Sequence, residues 1–187
     1  MYVHIPFCTR RCDYCAFATW SDRAHLVDAY MDALVTDIER AKSRGQLPVA
    51  TSVFFGGGTP SLVPADALAR VLGAIPLAAD AEVTIECNPE SVTAESMRIY
   101  RSAGVDRVSF GVQSLVDTVL ESLGRDHDPM MVVDAVAHAR AAGIQRINLD
   151  LIYGGAGETV DDWSRTLDGV VALAPTHVSA YALTVEA

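Results

Sequence analysis

Six short β-rich runs alternate with segments of helical periodicity along the chain, and this alternation constrains the fold more than any other feature. The runs are Tyr2 to Pro6, Thr51 to Phe55, Glu82 to Glu86, Arg107 to Phe110, Arg146 to Tyr153 and His177 to Thr184. Five β-α repeats closed by a sixth strand specify a parallel sheet with right-handed helical crossovers. A complete (β/α)8 barrel takes about 250 residues, whereas this chain has 187. The expected fold is therefore α/β, a parallel (β/α)6 partial TIM barrel, open at about three quarters of a circle. No composition shift, linker or low-complexity segment divides the chain, so residues 1–187 read as one domain.

Between the first two runs, Leu26, Tyr30, Ala33, Leu34, Ile38 and Ala41 recur at helical spacing and make one face. Pro64 precedes a further helix, Gly104 follows another, and Asp128-Pro129 and Gly143 bracket a third. Thr159 reads as the N-cap of the last helix, which is expected to bury Trp163, Leu167 and Val171 before Pro175.

Cys8, Cys12 and Cys15 leave the first strand in a Cys-x3-Cys-x2-Cys spacing. Three thiolates are thus offered to one metal centre, with no fourth from the same loop. A four-iron cluster ordinarily takes four cysteines, so one held by three keeps an iron open to another ligand. An open position marks a reacting metal site. Two other readings stand beside this one. A structural zinc could take His4 as fourth ligand, although His4 lies in the strand run and closed sites draw paired ligands from two loops. Cys12-x2-Cys15 could be a redox dithiol, although that motif normally opens a helix in a different fold. A disulfide framework does not suit a long chain with 4 cysteines and no secretory segment.

An apolar content of 50% excludes a disordered tail, and no apolar run reaches the roughly 18 residues of a membrane span. The expected location is the cytoplasm, whose reducing conditions suit thiolates kept for a cluster. With 14 basic against 24 acidic residues the formal charge is -10, and no basic stripe is interleaved with aromatics. Nucleic acid is therefore not an expected partner. The same charge opposes any anionic ligand unless basic groups gather locally. Arg10, Arg11, Arg125 and His127 are the candidates, and Arg10 and Arg11 read equally well as surface residues.

In parallel barrels the C-terminal strand ends build the active site. The cysteine loop follows the first run, Gly56-Gly57-Gly58-Thr59-Pro60 follows the second, and Glu86 ends the third. Gln113 follows the fourth, Asp150 lies in the fifth and Thr184 ends the sixth. The glycines would admit a ligand close to the backbone and leave amides free to bind it, or simply form a tight turn.

The cysteine spacing resembles the signature of the radical S-adenosylmethionine (SAM) superfamily, whose open iron is chelated by the amino and carboxylate groups of SAM. The runs Tyr2-Val3-His4-Ile5-Pro6-Phe7-Cys8 and Cys12-Asp13-Tyr14-Cys15-Ala16-Phe17 are similar to one branch of it. That branch holds the oxygen-independent coproporphyrinogen III oxidases (HemN) and the haem chaperones (HemW). The resemblance covers essentially the whole chain and implies a 4Fe-4S cluster on Cys8, Cys12 and Cys15, with SAM as its exchangeable ligand. It implies that Gly57, Gly58 and Thr59 hold the methionine end of SAM, and that Glu86 contacts SAM. A strand-end carboxylate also serves to cap a helix, and Cys87 is read as a packed free thiol rather than a ligand.

Ser109-Phe110-Gly111-Val112-Gln113-Ser114 and Leu123-Gly124-Arg125-Asp126-His127 match the same families. They imply that Gln113, Arg125 and Asp150 hold the ribose, carboxylate or adenine of SAM. Tyr2 maps likewise, Tyr14 lies beside the cluster, and Thr184 follows on a looser motif. From the residues alone, Arg125 and Asp150 read equally well as a structural ion pair. Tyr153-Gly154-Gly155-Ala156-Gly157 replaces a Gly-Leu-Pro-Gly type of turn, and a more flexible loop is expected there.

HemN carries a further cysteine two residues after the triplet and a longer N-terminal segment that helps hold a second SAM. Here that position is Phe17 and no such segment is expected, while Arg125-x-His127 is more like HemW. The resemblance thus implies a radical SAM protein of porphyrin and haem metabolism, closest to the haem chaperone HemW. The alternative is the oxidative decarboxylation of coproporphyrinogen III to protoporphyrinogen IX, which would make the chain a SAM-cleaving oxidoreductase. SAM, haem or a porphyrinogen, and an electron donor are the implied partners. The families continue into a C-terminal HemN-type domain, so the chain is expected to be an N-terminal fragment, with haem-binding residues beyond Ala187.

Overall fold

The structure, a computed structural model, describes residues 1–184. Strands β1 (Tyr2–Ile5), β2 (Ala50–Gly57), β3 (Leu77–Cys87), β4 (Arg107–Gln113), β5 (Arg146–Tyr153) and β6 (His177–Ala182) form one sheet. They pair in sequence order and every pair is parallel. β1 and β6 are the two edges of this sheet, so the barrel is open, as expected.

The helices are α1 (Val27–Ser43), α2 (Ala65–Ala74), α3 (Ala94–Ala103), α4 (Asp117–Ser122), α5 (Pro129–Ala141) and α6 (Val160–Ala172). The short α4 was not foreseen. No described helix is long and apolar enough to cross a membrane.

Alternation along each strand sorts side chains between two environments. Val3 and Ile5, Val53 and Phe55, Val83 and Ile85, Val108 and Phe110, and Ile147, Leu149 and Leu151 are buried against the helices. Each such burial contributes about 1.5–3 kcal/mol. The alternate positions Phe54, Glu86, Ser109, Asn148, Asp150 and Ser179 line the hollow on the other face.

Boundary chemistry fixes several helix ends. Thr93 and Ser96 form a capping box at α3, and Thr159 and Asp162 form one at α6. The Asp128 carboxylate accepts the Met131 N–H at the start of α5. Gly104 ends α3 with φ of 110°, a conformation that favours glycine.

Two expected helix faces are rotated in the molecule. In α1 the fully buried residue is Met31, with Tyr30, Leu34 and Ile38 half-buried and Ala33 exposed. In α6 the inward residues are Thr166 and Val170, whereas Val171 is 74% exposed and Leu167 also faces solvent. The reason lies on β4's exit. Thr166 Oγ1 shares a hydrogen bond with Ser114 Oγ at 3.0 Å and accepts the Leu115 N–H at 3.2 Å. A Cβ at Gly169 would stand 2.6 Å from Leu115 Cδ1. A satisfied threonine and a close glycine contact therefore outweigh the apolar period.

Candidate functional site

The cysteine loop is closed at its base. Phe7 and Trp20 form a parallel bridge, Trp20 N–H donates to Pro6 O at 2.8 Å, and Cys8 N–H donates to Trp20 O at 3.1 Å. His4 ties the loop's exit to β1, with Nε2 donating to the Ala18 carbonyl at 2.9 Å and Nδ1 accepting the Tyr2 hydroxyl at 2.9 Å. Both ring nitrogens are thereby engaged, which leaves no lone pair for a metal. Arg11 Nε donates to Cys15 O at 2.9 Å. Arg10 reaches Gly124 O and pairs with Asp126 at 3.2 Å. Both arginines are exposed, as the surface reading expected, and each is tethered by these contacts.

Cys8, Cys12 and Cys15 are partly exposed and Cys87 is buried. Among the described residues, no three His, Cys, Asp or Glu side chains are grouped to hold a single metal ion. Two of the three sulfurs have donors aimed at them. The Thr59 hydroxyl donates to Cys8 Sγ at 3.8 Å, and Arg125 Nη1 donates to Cys12 Sγ at 3.6 Å. Burial raises the Cys8 thiol pKa, and the Thr59 and Thr19 hydroxyls oppose it. Soft thiol ligands with donors aimed at their sulfurs suit an iron-sulfur cluster, whose charge such donors offset.

The glycine loop differs from expectation. Its amides are already used: Gly57 N–H donates to Glu86 Oε2 at 3.1 Å, Gly58 N–H to Ile5 O at 2.8 Å and Thr59 N–H to Phe7 O at 2.8 Å. A Cβ at Gly57 would meet the His4 ring at 2.5 Å, and one at Gly58 would meet Phe7 O at 2.5 Å and Cys8 Sγ at 3.0 Å. The missing side chains therefore make room for the chain itself. The loop seats the cysteine segment, and free amides are not what it offers a ligand.

Glu86 stands at the end of β3, where burial raises its pKa from 4.5 to about 6. The Gly57 amide lowers it and the nearby Asp150 charge raises it. Asp150 in β5 is oriented by Ser109 Oγ at 2.7 Å and Asn148 Nδ2 at 2.8 Å. Asn148 Nδ2 also reaches Ser109 Oγ at 2.8 Å and Ser179 Oγ at 3.0 Å. Strands β4, β5 and β6 thus share one polar wall. Among these residues only Asp150 was foreseen. The signal for Ser109, Asn148 and Ser179 was present as polar residues at alternate strand positions.

Arg125 does not pair with Asp150. Its Nη2 donates to Gly111 O at 2.9 Å, its Nε donates to His127 Nδ1 at 3.4 Å, and Glu90 Oε2 lies 3.9 Å away. His127 is not free for a porphyrin either. Its side chain is 0% exposed, and Nε2 donates to Val112 O at 2.9 Å.

Gln113 ends β4 with φ of 64°, at a register shift between β4 and β5. A non-glycine residue in that region costs about 1 kcal/mol or more and is typical of ligand sites. Its buried side chain lines the cavity and has no protein hydrogen-bond partner among the described residues.

Cys8, Cys12, Cys15, Tyr14, Gly57, Gly58, Thr59, Glu86, Gln113, Arg125, Asp150 and Thr184 all line one cavity of about 940 Å³. Such a volume is near the upper end for small-molecule sites, roughly 300–1,000 Å³. Tyr14 is packed against Val116, Val119 and Leu123, and burial raises its phenol pKa. Tyr2 is outside the lining; it stacks on Phe54, and its pKa is raised by burial and then by Glu86. The Tyr153–Gly157 turn is tied down more than expected, because Glu158 Oε2 accepts the Gly154 and Gly155 amides at 2.5 and 3.0 Å.

Comparison with known proteins bears on this arrangement. A family model described as the Radical SAM superfamily matches residues 2–170. The chain is 43% identical over 194 residues to heme chaperone HemW of Mycobacterium tuberculosis, covering 100% of this chain and 50% of that protein. It is 37% identical over 191 residues to heme chaperone HemW of Escherichia coli, again covering 100% and 50%. The solved structure of the radical SAM enzyme coproporphyrinogen III oxidase (HemN) from Escherichia coli matches with a TM-score of 0.89 at 30% identity. That match covers 98% of this chain and 43% of the other. The chain spans about half the length of the curated relatives it matches.

Proposed function

The chain belongs to the radical SAM superfamily, and from that premise we propose that it is the cluster- and SAM-binding core of a HemW-like haem chaperone. One observation carries the reading. Three partly exposed thiols of one loop face a cavity that also holds two carboxylates, Glu86 and Asp150. Cys8, Cys12 and Cys15 would hold a 4Fe-4S cluster, and SAM would lie in the cavity. When bound, the cluster would supply one electron for reductive cleavage of SAM.

The chain's own groups would divide the work by their chemistry. Thr59 and Arg125 donate to sulfur. Glu86 keeps lone pairs beyond its bond to Gly57 for an ammonium group. Asp150, fixed by Ser109 and Asn148, would accept from hydroxyls, and the unpaired Gln113 amide would donate or accept beside it. Gly57 and Gly58 would position Cys8 and the cavity wall, Tyr14 would shield the cysteine side from water, and Tyr2 and Thr184 would contribute at the margins. We take residues 1–187 as the radical SAM core of a longer protein that works in the cytoplasm, where thiolates stay reduced, with haem and an electron donor as partners.

A second reading, coproporphyrinogen III oxidase, is favoured by the structural likeness to HemN. Phe17 opposes it, standing 65% exposed at the cavity where HemN has a cysteine. The test uses the full-length protein, incubated anaerobically with coproporphyrinogen III, SAM, a reductant and a cell extract supplying the electron acceptor. Haem binding without protoporphyrinogen IX formation supports the chaperone, and SAM-dependent protoporphyrinogen IX restores the oxidase.

A further inference from the structure

We propose that Arg125 raises the reduction potential of the cluster, through its N–H group on the Cys12 sulfur, and that His127 is the positioning residue that holds it there. The proposal rests on the reading of Cys8, Cys12 and Cys15 as cluster ligands.

All three guanidinium nitrogens of Arg125 have protein partners. Nη1 is 3.6 Å from Cys12 Sγ, Nη2 is 2.9 Å from Gly111 O, and Nε is 3.4 Å from His127 Nδ1. A group so engaged is fixed in direction. The side chain is only 5% exposed, so water screens its charge little.

His127 fixes that direction through its tautomer. A carbonyl only accepts, so the contact between Nε2 and Val112 O at 2.9 Å places the proton on Nε2. The lone pair on Nδ1 then faces Arg125. Glu90 Oε2 lies 3.5 Å from that Nδ1 and 3.9 Å from Arg125 Nη2. It is too far for a direct hydrogen bond and partly balances the guanidinium charge.

The electrostatic consequence concerns a single step. One electron passes from a low-potential one-electron donor into the cluster, with no bond made or broken and no proton moved. In a chain of formal charge -10, added negative charge is opposed. A buried cation whose N–H meets a ligand sulfur favours the reduced state and raises the potential. Cys8 has neutral hydroxyls, those of Thr59 and Thr19, in the corresponding place, so the donor on Cys12 is the one that carries the charge effect.

The experiment is an EPR-monitored redox titration of the full-length protein, reconstituted anaerobically without SAM, with iron content measured in parallel. Arg125→Leu should shift the midpoint potential to more negative values, and Arg125→Lys should shift it less. His127→Leu should shift it in the same direction. His127→Gln should stay close to the unsubstituted protein, because an amide can both accept from Arg125 and donate to Val112 O. An unchanged potential in Arg125→Leu with iron retained overturns the proposal. If that variant loses its iron, His127→Leu decides: a lowered potential supports the proposal, and an unchanged one overturns it. Iron loss in both variants also overturns it, since the pair would then be a folding element of the loop. Failure of the unsubstituted protein to hold about four irons would instead sink the underlying cluster reading.

Discussion

Glu86 Oε2 accepts the Gly57 N–H at 3.1 Å, so the carboxylate at the end of one strand holds the glycine loop at the end of its neighbour. Burial raises the Glu86 pKa from 4.5 to about 6. An acid raised in this way binds its proton more tightly in the folded state, so its contribution is most favourable at low pH. That contribution is lost as pH rises through 6, by about 2 kcal/mol. Glu86→Gln should remove this slope in the cluster-free, SAM-free protein. The variant's stability advantage should grow between about pH 4.5 and 6.5 by on the order of 1–2 kcal/mol and then level off. Denaturant unfolding across that range checks it, and parallel curves for the two proteins would contradict it.

Gly58 is pressed against backbone, with Phe7 O at 2.5 Å and Cys8 Sγ at 3.0 Å from a would-be Cβ. Gly58→Ala should therefore destabilise the protein by about 1–3 kcal/mol and impair iron uptake through Cys8. Gly73, in α2, has nothing within 4 Å of its would-be Cβ. Gly73→Ala should stabilise by about 0.5–1 kcal/mol with iron uptake unchanged. Thermal melts and iron assays on the pair suffice; a neutral Gly58→Ala would return the loop to a simple opening for ligand.

Asp150 is oriented by Ser109 and Asn148 and, among the described residues, is not paired with a cation. Its charge is thus available to the cavity. Asp150→Asn should weaken SAM binding at least about tenfold, or 1.4 kcal/mol, while the iron content stays the same. Calorimetric titration with SAM measures this, and an unaltered affinity would remove Asp150 from the site.

Much of this architecture was legible because it depends on local pattern. The strand run Arg146 to Tyr153 coincides with β5, and Thr159 caps α6 as its sequence position suggested. The cysteines, Glu86, Gln113 and Asp150 could be placed together because strand ends of a parallel barrel converge. What escaped was set by contacts distant in sequence. Thr166 is buried by partners some 50 residues away, and the free amides expected of Gly57 and Gly58 were taken by Glu86 and β1. The left-handed backbone of Gln113 left no sign in its residue type. His127 looked like a candidate for a porphyrin, and only its contact with Val112 O revealed a buried support for Arg125.

The central claim is that Cys8, Cys12 and Cys15 alone hold an iron-sulfur cluster. Its most direct test is metal analysis after anaerobic reconstitution of the protein and its four single Cys→Ala variants. The account predicts about four irons per chain in the unsubstituted protein and in Cys87→Ala, and loss of the cluster in Cys8→Ala, Cys12→Ala and Cys15→Ala. Stoichiometric zinc in place of iron, or loss of the cluster in Cys87→Ala, would contradict it.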